Sequence, residues 1–335
     1  MRGKIFAGMA ALALAFLSAT PVARGGLIIQ FDTSFDSGNF FGSNPQAMTL
    51  LNDAADFFQD HITDNLTAID PAAQSITDNT TDTWTTDAFN PTDPNNSTAD
   101  IKLSNLTVPA NVITVYVGGT TTFPSGQLGL GGPGGIAGGS GSQAWVDILS
   151  GRGQAGALAT TPTDFGPWGG SVAFNSTATW YFDPSNPEAN PPTNSVPAGQ
   201  NDFYSVALHE LGHVLGFGTA DSWNALVSGN TFTGANAEAL NGSTAVALST
   251  DLSHWAQGTT SDIFGTNTAQ ETDMDPSLTV GTRKYFTDLD MAGLQDVGWN
   301  VVPEPAAWPW LAALGALGAH FWRKKNFRLS RPSTV

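Results

Sequence analysis

The spacing of apolar residues along the chain predicts several strands and an early helix. Residues 27–31 (LIIQF) and 112–116 (VITVY) are short apolar runs of the kind that form strands. In residues 46–62 the apolar positions recur every three or four residues, which predicts an amphipathic helix. Residues 170–182 alternate apolar and polar side chains and predict one or two further strands. These patterns indicate a body that mixes helices with strands.

Three segments have neither periodicity and predict loops. Residues 75–100 are rich in Thr, Asp, Asn and Pro, and residues 184–200 are rich in Pro and Asn. Residues 125–143 are glycine-rich, but they lack the Gly-Lys-Ser/Thr ending of a phosphate-binding loop, and no helical pattern follows them. We therefore interpret 125–143 as a flexible surface loop and not as a phosphate site.

A second helix is predicted over residues 202–217. Asn201 or Asp202 can cap its N-terminus, and apolar residues recur along it at helical spacing. The apolar residues that surround its polar positions indicate that this helix is buried. It contains the five-residue run HELGH at 209–213, for which a surface helix with two unrelated histidines is the alternative interpretation.

The run HELGH predicts a catalytic zinc site. Because residues four apart lie on one face of a helix, His209 and His213 can both bind one metal ion. Glu210 lies one step round the helix, where its carboxylate can take a proton from a metal-bound water. A purely structural metal site does not need this glutamate, so Glu210 favours an enzyme.

The residues after the helix extend the motif. Gly216 follows His213 by three residues, where a left-handed glycine can end the helix and turn the chain back under the metal. The pattern His-Glu-x-x-His-x-x-Gly resembles that of the metzincin zinc endopeptidases, most of which have a third His or Asp three residues after the glycine. This sequence has Thr219 there, and a threonine hydroxyl is a poor zinc ligand. Asp221, two residues further on, is an alternative ligand.

Elimination points to His254 as the third ligand, because a catalytic zinc site needs three protein ligands and one open position. Of the other histidines outside the motif, His61 lies on the early helix and His320 near the C-terminus. His254 precedes the run DMDP at 273–276, which resembles the Met-turn of metzincins. A loop histidine without a role is the alternative.

The order of helix, inserted segment, late histidine and Met-turn resembles the leishmanolysin-like branch of that clan. The resemblance implies an α+β fold: a metzincin-like domain over 26–301, with a mixed sheet, an active-site helix and a smaller C-terminal subdomain. The boundary is expected between 217 and 218. In this interpretation Met274 forms a hydrophobic floor under the metal. Tyr285 is either an oxyanion stabiliser or an ordinary half-buried core residue.

Two further segments fit the same resemblance. Residues 167–174 resemble the edge strand that rims a metzincin cleft, where an extended peptide could add as an extra strand. A plain sheet edge is the alternative interpretation. Residues 286–299 look like the closing helix of the leishmanolysin-like branch. The resemblance is closest over 160–301 and looser over 26–160.

Both ends of the chain predict sorting signals. Residues 1–23 have a basic start, a short apolar stretch and small residues, as in a secretory signal peptide, with an uncleaved anchor as the alternative. Residues 302–335 contain Pro-Glu-Pro, an apolar segment over 306–322 and a basic cluster, and they resemble the PEP-CTERM sorting signal of Gram-negative bacteria. The resemblance implies a short transmembrane helix, exosortase processing and release to the cell surface or matrix. A permanent tail anchor is the alternative.

The composition of the chain limits the classes of molecule that it can bind. Residues 26–301 hold 28 of the 29 acidic residues but four of the twelve basic ones. A body this acidic repels phosphate, so nucleic acids and anionic membrane surfaces are excluded as its partners, and membrane contact is expected only through the C-terminal helix. The chain has no cysteine, which excludes disulfides, thiolate metal sites and cysteine nucleophiles.

These observations predict a secreted zinc endopeptidase that acts on peptides or proteins. His209, His213 and His254 would hold one zinc ion, and Glu210 would serve as general base and then as proton donor to the leaving amine. The rival hypothesis is a non-catalytic zinc-binding surface or matrix protein sorted by exosortase. A third hypothesis adds structural calcium because Asp is abundant, although no Asp-x-Asp-x-Asp-Gly loop is present.

Overall fold

The computed structural model describes residues 26–183 and 196–302 of the chain. The predicted signal peptide, nearly all of the predicted sorting signal and most of the predicted loop at 184–200 lie outside these ranges. No helix within the described ranges is long and apolar enough to cross a bilayer. The predicted transmembrane segment at 306–322 is not among the described residues.

Helices and strands alternate irregularly along the chain. The helices are α1 (Phe40–Ser43), α2 (Pro45–His61), α3 (Pro71–Asp78), α4 (Gln143–Gly151), α5 (Phe203–Val214), α6 (Asp221–Asn224), α7 (Ala235–Leu240) and α8 (Asp288–Val297). The strands are β1 (Ile28–Asp32), β2 (Thr83–Asp87), β3 (Val112–Thr120), β4 (Gly129–Pro133), β5 (Gly135–Ser140), β6 (Gly169–Asn175), β7 (Trp180–Tyr181), β8 (Asn201–Asp202), β9 (Val227–Ser228), β10 (Thr231–Phe232), β11 (Val246–Ala247), β12 (Thr260–Asp262) and β13 (Ala269–Glu271).

The largest sheet has four strands in the order β1-β3-β6-β4. Strands β1, β3 and β6 are parallel, and β4 joins the edge antiparallel to β6. The sheet is therefore mixed, and the α+β class with a mixed sheet is confirmed. Further small sheets pair β2 with β5, β7 with β8, β12 with β13, and β9 and β11 with β10.

The sheet separates two groups of buried side chains, because successive residues of a strand face opposite ways. Ile113, Val115 and Val117 of β3 lie in the main cluster, which also includes the buried faces of α2 and α5. Tyr116 lies in a second cluster with buried tryptophans from β2 and α4. The main cluster also includes Trp255 and other side chains from 218–301, so both predicted subdomains share one continuous core.

Several predicted elements are confirmed. The strands at 27–31 and 112–116 correspond to β1 and the start of β3, and the early helix corresponds to α2. Residues 286–299 contain a helix, α8, and residues 170–182 contain most of β6 together with β7. The predicted helix at 202–217 is α5, which ends at Val214 and is therefore shorter than predicted.

Two predicted loops are wrong in part. Helix α3 begins at Pro71, where the Asp70 side chain caps it by accepting from the Ala73 N–H at 3.0 Å, and it extends into 75–100 as far as Asp78. Strand β2 buries Trp84 and Thr86 on one face, an alternation partly hidden by its many threonines. The glycine-rich segment 125–143 forms β4 and β5 and the start of α4 instead of a flexible loop, and its strands pair with β6 and β2.

The prediction that 167–174 forms the edge strand is also wrong. These residues contain most of β6, which lies inside the sheet between β3 and β4. The edge on this side of the sheet is β4, whose glycines allow close approach to α5: a Cβ atom on Gly131 would lie 2.2 Å from the backbone oxygen of Glu210. Strand β4 has almost no apolar side chains, so a search for alternating apolar residues cannot detect it.

Candidate metal centre

Helix α5 is anchored at its N-terminus by a buried ion pair. The Asp202 carboxylate caps the helix by accepting from the Ser205 N–H at 3.0 Å, as one of the two predicted caps. Arg283 donates to both oxygens of this carboxylate, at 2.9 and 2.8 Å. A bidentate pair of this kind fixes orientation as well as charge, so it sets the position from which α5 presents its side chains.

Three imidazoles converge at one point. The Nε2 atoms of His209 and His213 are 3.1 Å apart, and the Nε2 of His254 lies 3.2 Å from the first and 3.0 Å from the second. The three rings are close enough to hold one metal ion. Helix geometry explains the first pair, whereas His254 arrives from a loop 41 residues beyond His213.

Each of the three rings is held through its other nitrogen. His209 Nδ1 lies 2.7 Å from the Asp273 carbonyl oxygen, and His213 Nδ1 lies 2.9 Å from that of Phe217. A carbonyl can only accept, so both Nδ1 atoms carry the proton and both Nε2 atoms point a lone pair into the centre. His254 Nδ1 instead meets a carboxylate.

The environment keeps the first two imidazoles neutral. Burial and the neighbouring imidazoles lower the pKa of His209 well below its usual value. Burial, reinforced by the nearby His254 ring, lowers the pKa of His213 to about 3. Because metal binding requires the neutral ring, both groups are in the binding form near neutral pH.

Glu210 lies against the glycine-rich edge strand. Burial raises the pKa of its carboxyl to about 8, and a hydrogen bond from the Gly131 backbone N–H opposes this rise. A Cβ atom on Gly129 would lie 2.3 Å from Glu210 Oε1. The absence of a side chain at Gly129 therefore makes room for the Glu210 carboxylate, and its absence at Gly131 makes room for the Glu210 backbone.

Because of this contact, we expect Gly129→Ala to impair the predicted peptide hydrolysis while the protein still binds metal. The added methyl group must displace the Glu210 carboxylate, and a shift of about 1 Å in a catalytic group can cost on the order of 100-fold in rate. Gly132→Ala is the matched control on the same strand, because its nearest neighbour would lie 4.0 Å away. We expect kcat/KM to fall for Gly129→Ala alone, and equal effects of both substitutions would contradict this role.

The chain after α5 turns as the glycines predict. Gly216 and Gly218 have φ values of 98° and 71°, in the left-handed region that glycine favours. Thr219 donates its hydroxyl hydrogen to the His213 carbonyl oxygen at 2.7 Å, so it caps the helix end. Asp221, the alternative ligand, is an exposed residue at the start of α6 and is not part of the three-imidazole group.

Met274 packs under α5, the helix that carries His209 and His213. It is fully buried, and a Cβ atom on Gly212 would lie 2.8 Å from its sulfur. The surrounding turn is held by Asp290, whose buried carboxylate accepts from the backbone N–H groups of Asp273 and Met274 at 2.9 and 3.3 Å and from Trp255 Nε1 at 2.9 Å. Asp290 thus links the neighbours of His209 and His254.

The sequence patterns did not indicate a role for Asp290 or for Asp251, whose carboxylate contacts His254. Thr287 and Asp290 form a capping box at the start of α8, with the Thr287 hydroxyl donating at 2.8 Å. Their spacing of three residues was the available signal, with Asp in the place usually taken by Glu or Gln. Asp251 precedes His254 by three residues, a spacing that permits a local contact.

A cavity of about 530 Å³ opens in front of the imidazoles. His209, Glu210, His213 and His254 all line it, together with residues 126–131 of the glycine-rich segment. Tyr285 is not among the lining residues and is largely buried, which agrees with a core role and not with an oxyanion stabiliser.

The donor set of the site fits zinc. Three imidazoles with an open side are a common protein ligand set of catalytic zinc sites. Within residues 26–183 and 196–302, no other group of three or more His, Asp or Glu side chains lies close enough to hold a metal ion. The hypothesis of structural calcium therefore gains no support from the described side chains.

Comparisons with protein-family models, with curated proteins and with solved structures found no match for this chain.

Proposed function

We propose that this protein is a zinc-dependent endopeptidase with a metzincin-like fold. The observation that carries the proposal is the convergence of three imidazole Nε2 atoms within 3.0–3.2 Å of one another, on a cavity that the Glu210 carboxylate also lines. The imidazoles supply three ligands and leave one side open to the cavity. A closed structural site would have a fourth protein ligand there.

The roles of the residues follow from their positions. When bound, zinc would supply a water whose pKa is lowered to about 7 and would polarise the substrate carbonyl. Burial by itself favours protonated Glu210, but the positive charge of bound zinc would favour the carboxylate. This carboxylate is placed to accept the proton of the attacking water and to deliver it to the leaving amine nitrogen. The Gly131 N–H orients this carboxylate, and Asp273 and Phe217 hold the imidazoles of His209 and His213 in their binding tautomer.

The edge strand β4 favours an extended peptide as substrate. In the described part of the chain β4 pairs with β6 alone, and residues 126–131 line the cavity. An extended peptide can hydrogen-bond along such an edge and place its scissile carbonyl near the imidazoles.

Hydrolysis of casein by the purified protein tests the proposal. We expect peptide release in the presence of zinc, loss of release when a chelator removes the metal, and recovery when zinc is returned. Each cut should create one new amino terminus within the casein sequence, because an endopeptidase cleaves internal peptide bonds. Tight zinc binding without any cleavage of casein or of a peptide library would instead favour a non-catalytic zinc-binding surface protein.

We also propose that the protein is exported, anchored transiently in the inner membrane and released at the cell surface or into the matrix after exosortase processing. Support comes from the order Pro-Glu-Pro, apolar segment and basic cluster in residues 303–335, a region outside the described ranges. The intact mass of the extracellular protein should correspond to a chain that lacks both ends. A mature species that retains Trp322 and Arg323 would identify a permanent tail anchor.

A further inference from the structure

The loop that carries the third imidazole is a closed turn. The Ser249 N–H donates to the His254 carbonyl oxygen at 2.9 Å, and the Leu252 N–H donates to the Ser249 carbonyl oxygen at 3.1 Å. Inside the turn, Asp251 Oδ1 accepts from the Ser249 hydroxyl and, at 2.9 Å, from the Ser253 N–H. One oxygen of the Asp251 carboxylate is thus occupied by the turn itself.

The other oxygen of Asp251 contacts the imidazole. Asp251 Oδ2 lies 2.9 Å from His254 Nδ1. His209 and His213 are held by backbone carbonyls, which no side-chain substitution removes. Of the three imidazoles, His254 is therefore the one whose orientation depends on a side-chain carboxylate.

The backbone of this loop is also held by contacts that do not involve Asp251. A Cβ atom on Gly218 would lie 2.1 Å from the Ser253 carbonyl oxygen, so the loop packs directly on the turn that follows α5. Trp223, a fully buried side chain, donates from Nε1 to the Leu252 carbonyl oxygen at 3.0 Å. These contacts stabilise Leu252 in its left-handed conformation, with φ at 62°.

We propose that Asp251 is a positioning residue that fixes the rotation and the tautomer of the His254 ring and thereby strengthens metal binding. By accepting the Nδ1 hydrogen, the carboxylate keeps the Nε2 lone pair directed at the other two imidazoles. A carboxylate partner also increases the basicity of a metal-bound imidazole. The inference rests on the proposed metal site, but it does not depend on which substrate the protein cleaves.

The side chain of Asp251 is half exposed, with 50% of its surface accessible. Solvent screens its charge, so simple attraction between the carboxylate and the metal ion contributes little. The contribution of Asp251 therefore comes from the hydrogen bond to one ring nitrogen. Loss of such an outer partner typically lowers metal affinity by about 10–100-fold.

The test measures metal binding by the purified full-length protein and by Asp251→Ala, Asp251→Asn and Ser249→Ala. Competition with a chromophoric chelator gives the affinity for Zn²⁺, and the visible absorption of bound Co²⁺ reports the ligand geometry. We expect the zinc affinity of Asp251→Ala to fall by about 10–100-fold and its Co²⁺ spectrum to change. Asp251→Asn, whose amide oxygen can still accept one hydrogen bond, should fall between Asp251→Ala and wild type.

Ser249→Ala is the matched control, because it removes a hydrogen bond to the other oxygen of Asp251 and leaves the imidazole contact intact. We expect it to keep the wild-type affinity and Co²⁺ spectrum. If Asp251 only ordered the loop, Ser249→Ala and Asp251→Asn would weaken binding alike, and the inference would be wrong. Unchanged zinc affinity in Asp251→Ala would also overturn it.

Failure of this inference and failure of the proposed function give different results. If Asp251→Ala binds zinc as tightly as wild type while wild type still cleaves casein, the inference alone fails. If Asp251→Ala loses zinc affinity but wild type cleaves no peptide, the proposed function alone fails. A wild-type protein that binds no zinc contradicts both.

Discussion

Glu210→Gln is expected to abolish nearly all peptide hydrolysis while zinc binding and the fold are retained. The amide has the shape of the carboxylate but cannot accept a proton from water. General acid–base catalysis contributes about 10²–10⁴-fold, and we expect kcat/KM to fall by that factor. Steady-state hydrolysis of a fluorogenic peptide at saturating zinc measures the effect.

The surroundings of Glu210 make this substitution informative. The side chain is buried and lies close to the backbone of β4, so a glutamine of equal size fits the same space. Its amide oxygen can still accept from the Gly131 N–H, which keeps the side chain in place. Metal content and thermal unfolding should therefore match wild type. Hydrolysis at a rate near that of wild type would show that another group is the base.

His254→Ala is expected to lose most of the bound zinc. Two imidazoles on one helix remain, but the ion loses one of three protein ligands. Loss of an outer partner lowers metal affinity by about 10–100-fold. We expect the loss of a ligand to lower the zinc affinity by more than that. Metal analysis after dialysis against a weak chelator measures the loss, and peptide hydrolysis should fall with it.

Asp221→Ala is the control for this prediction, because Asp221 is the alternative ligand. Its exposed position at the start of α6, outside the three-imidazole group, leads us to expect wild-type zinc content. If His254→Ala kept its zinc and Asp221→Ala lost it, the loop would have to rearrange so that Asp221 binds the metal. The assignment of His254 would then be wrong.

The amino-acid sequence alone places His209, Glu210 and His213 on one buried helix. A spacing of four residues becomes a shared face through the helix repeat, which is a local property of the backbone. The turn at Gly216 could be predicted for the same reason, because the need for a left-handed residue at a helix end is also local. Elimination selected His254 among the histidines, but it did not show where His254 lies relative to the other two imidazoles.

The wall of the cleft could not be predicted from the sequence. Strand β4 consists of three glycines, a leucine and a proline, which is the composition of a loop by any measure of strand propensity. It forms a strand because it pairs with β6. It contains glycines at 129 and 131 because Glu210 leaves no room for side chains there. Both causes lie in other parts of the chain.

The sequence by itself determined the local parts of this protein: the two histidines on one helix face, the glutamate beside them, the helix that carries them and the turn that ends it. The tertiary structure alone decided that His254 meets them, that Asp251 orients its ring, that Asp290 ties the turn at Met274 to Trp255, and that a glycine strand forms the cleft. The physical reason is the separation along the chain of the residues that interact. Helix faces and caps depend on residues within one or two turns, whereas these contacts join segments whose approach depends on how the whole core packs.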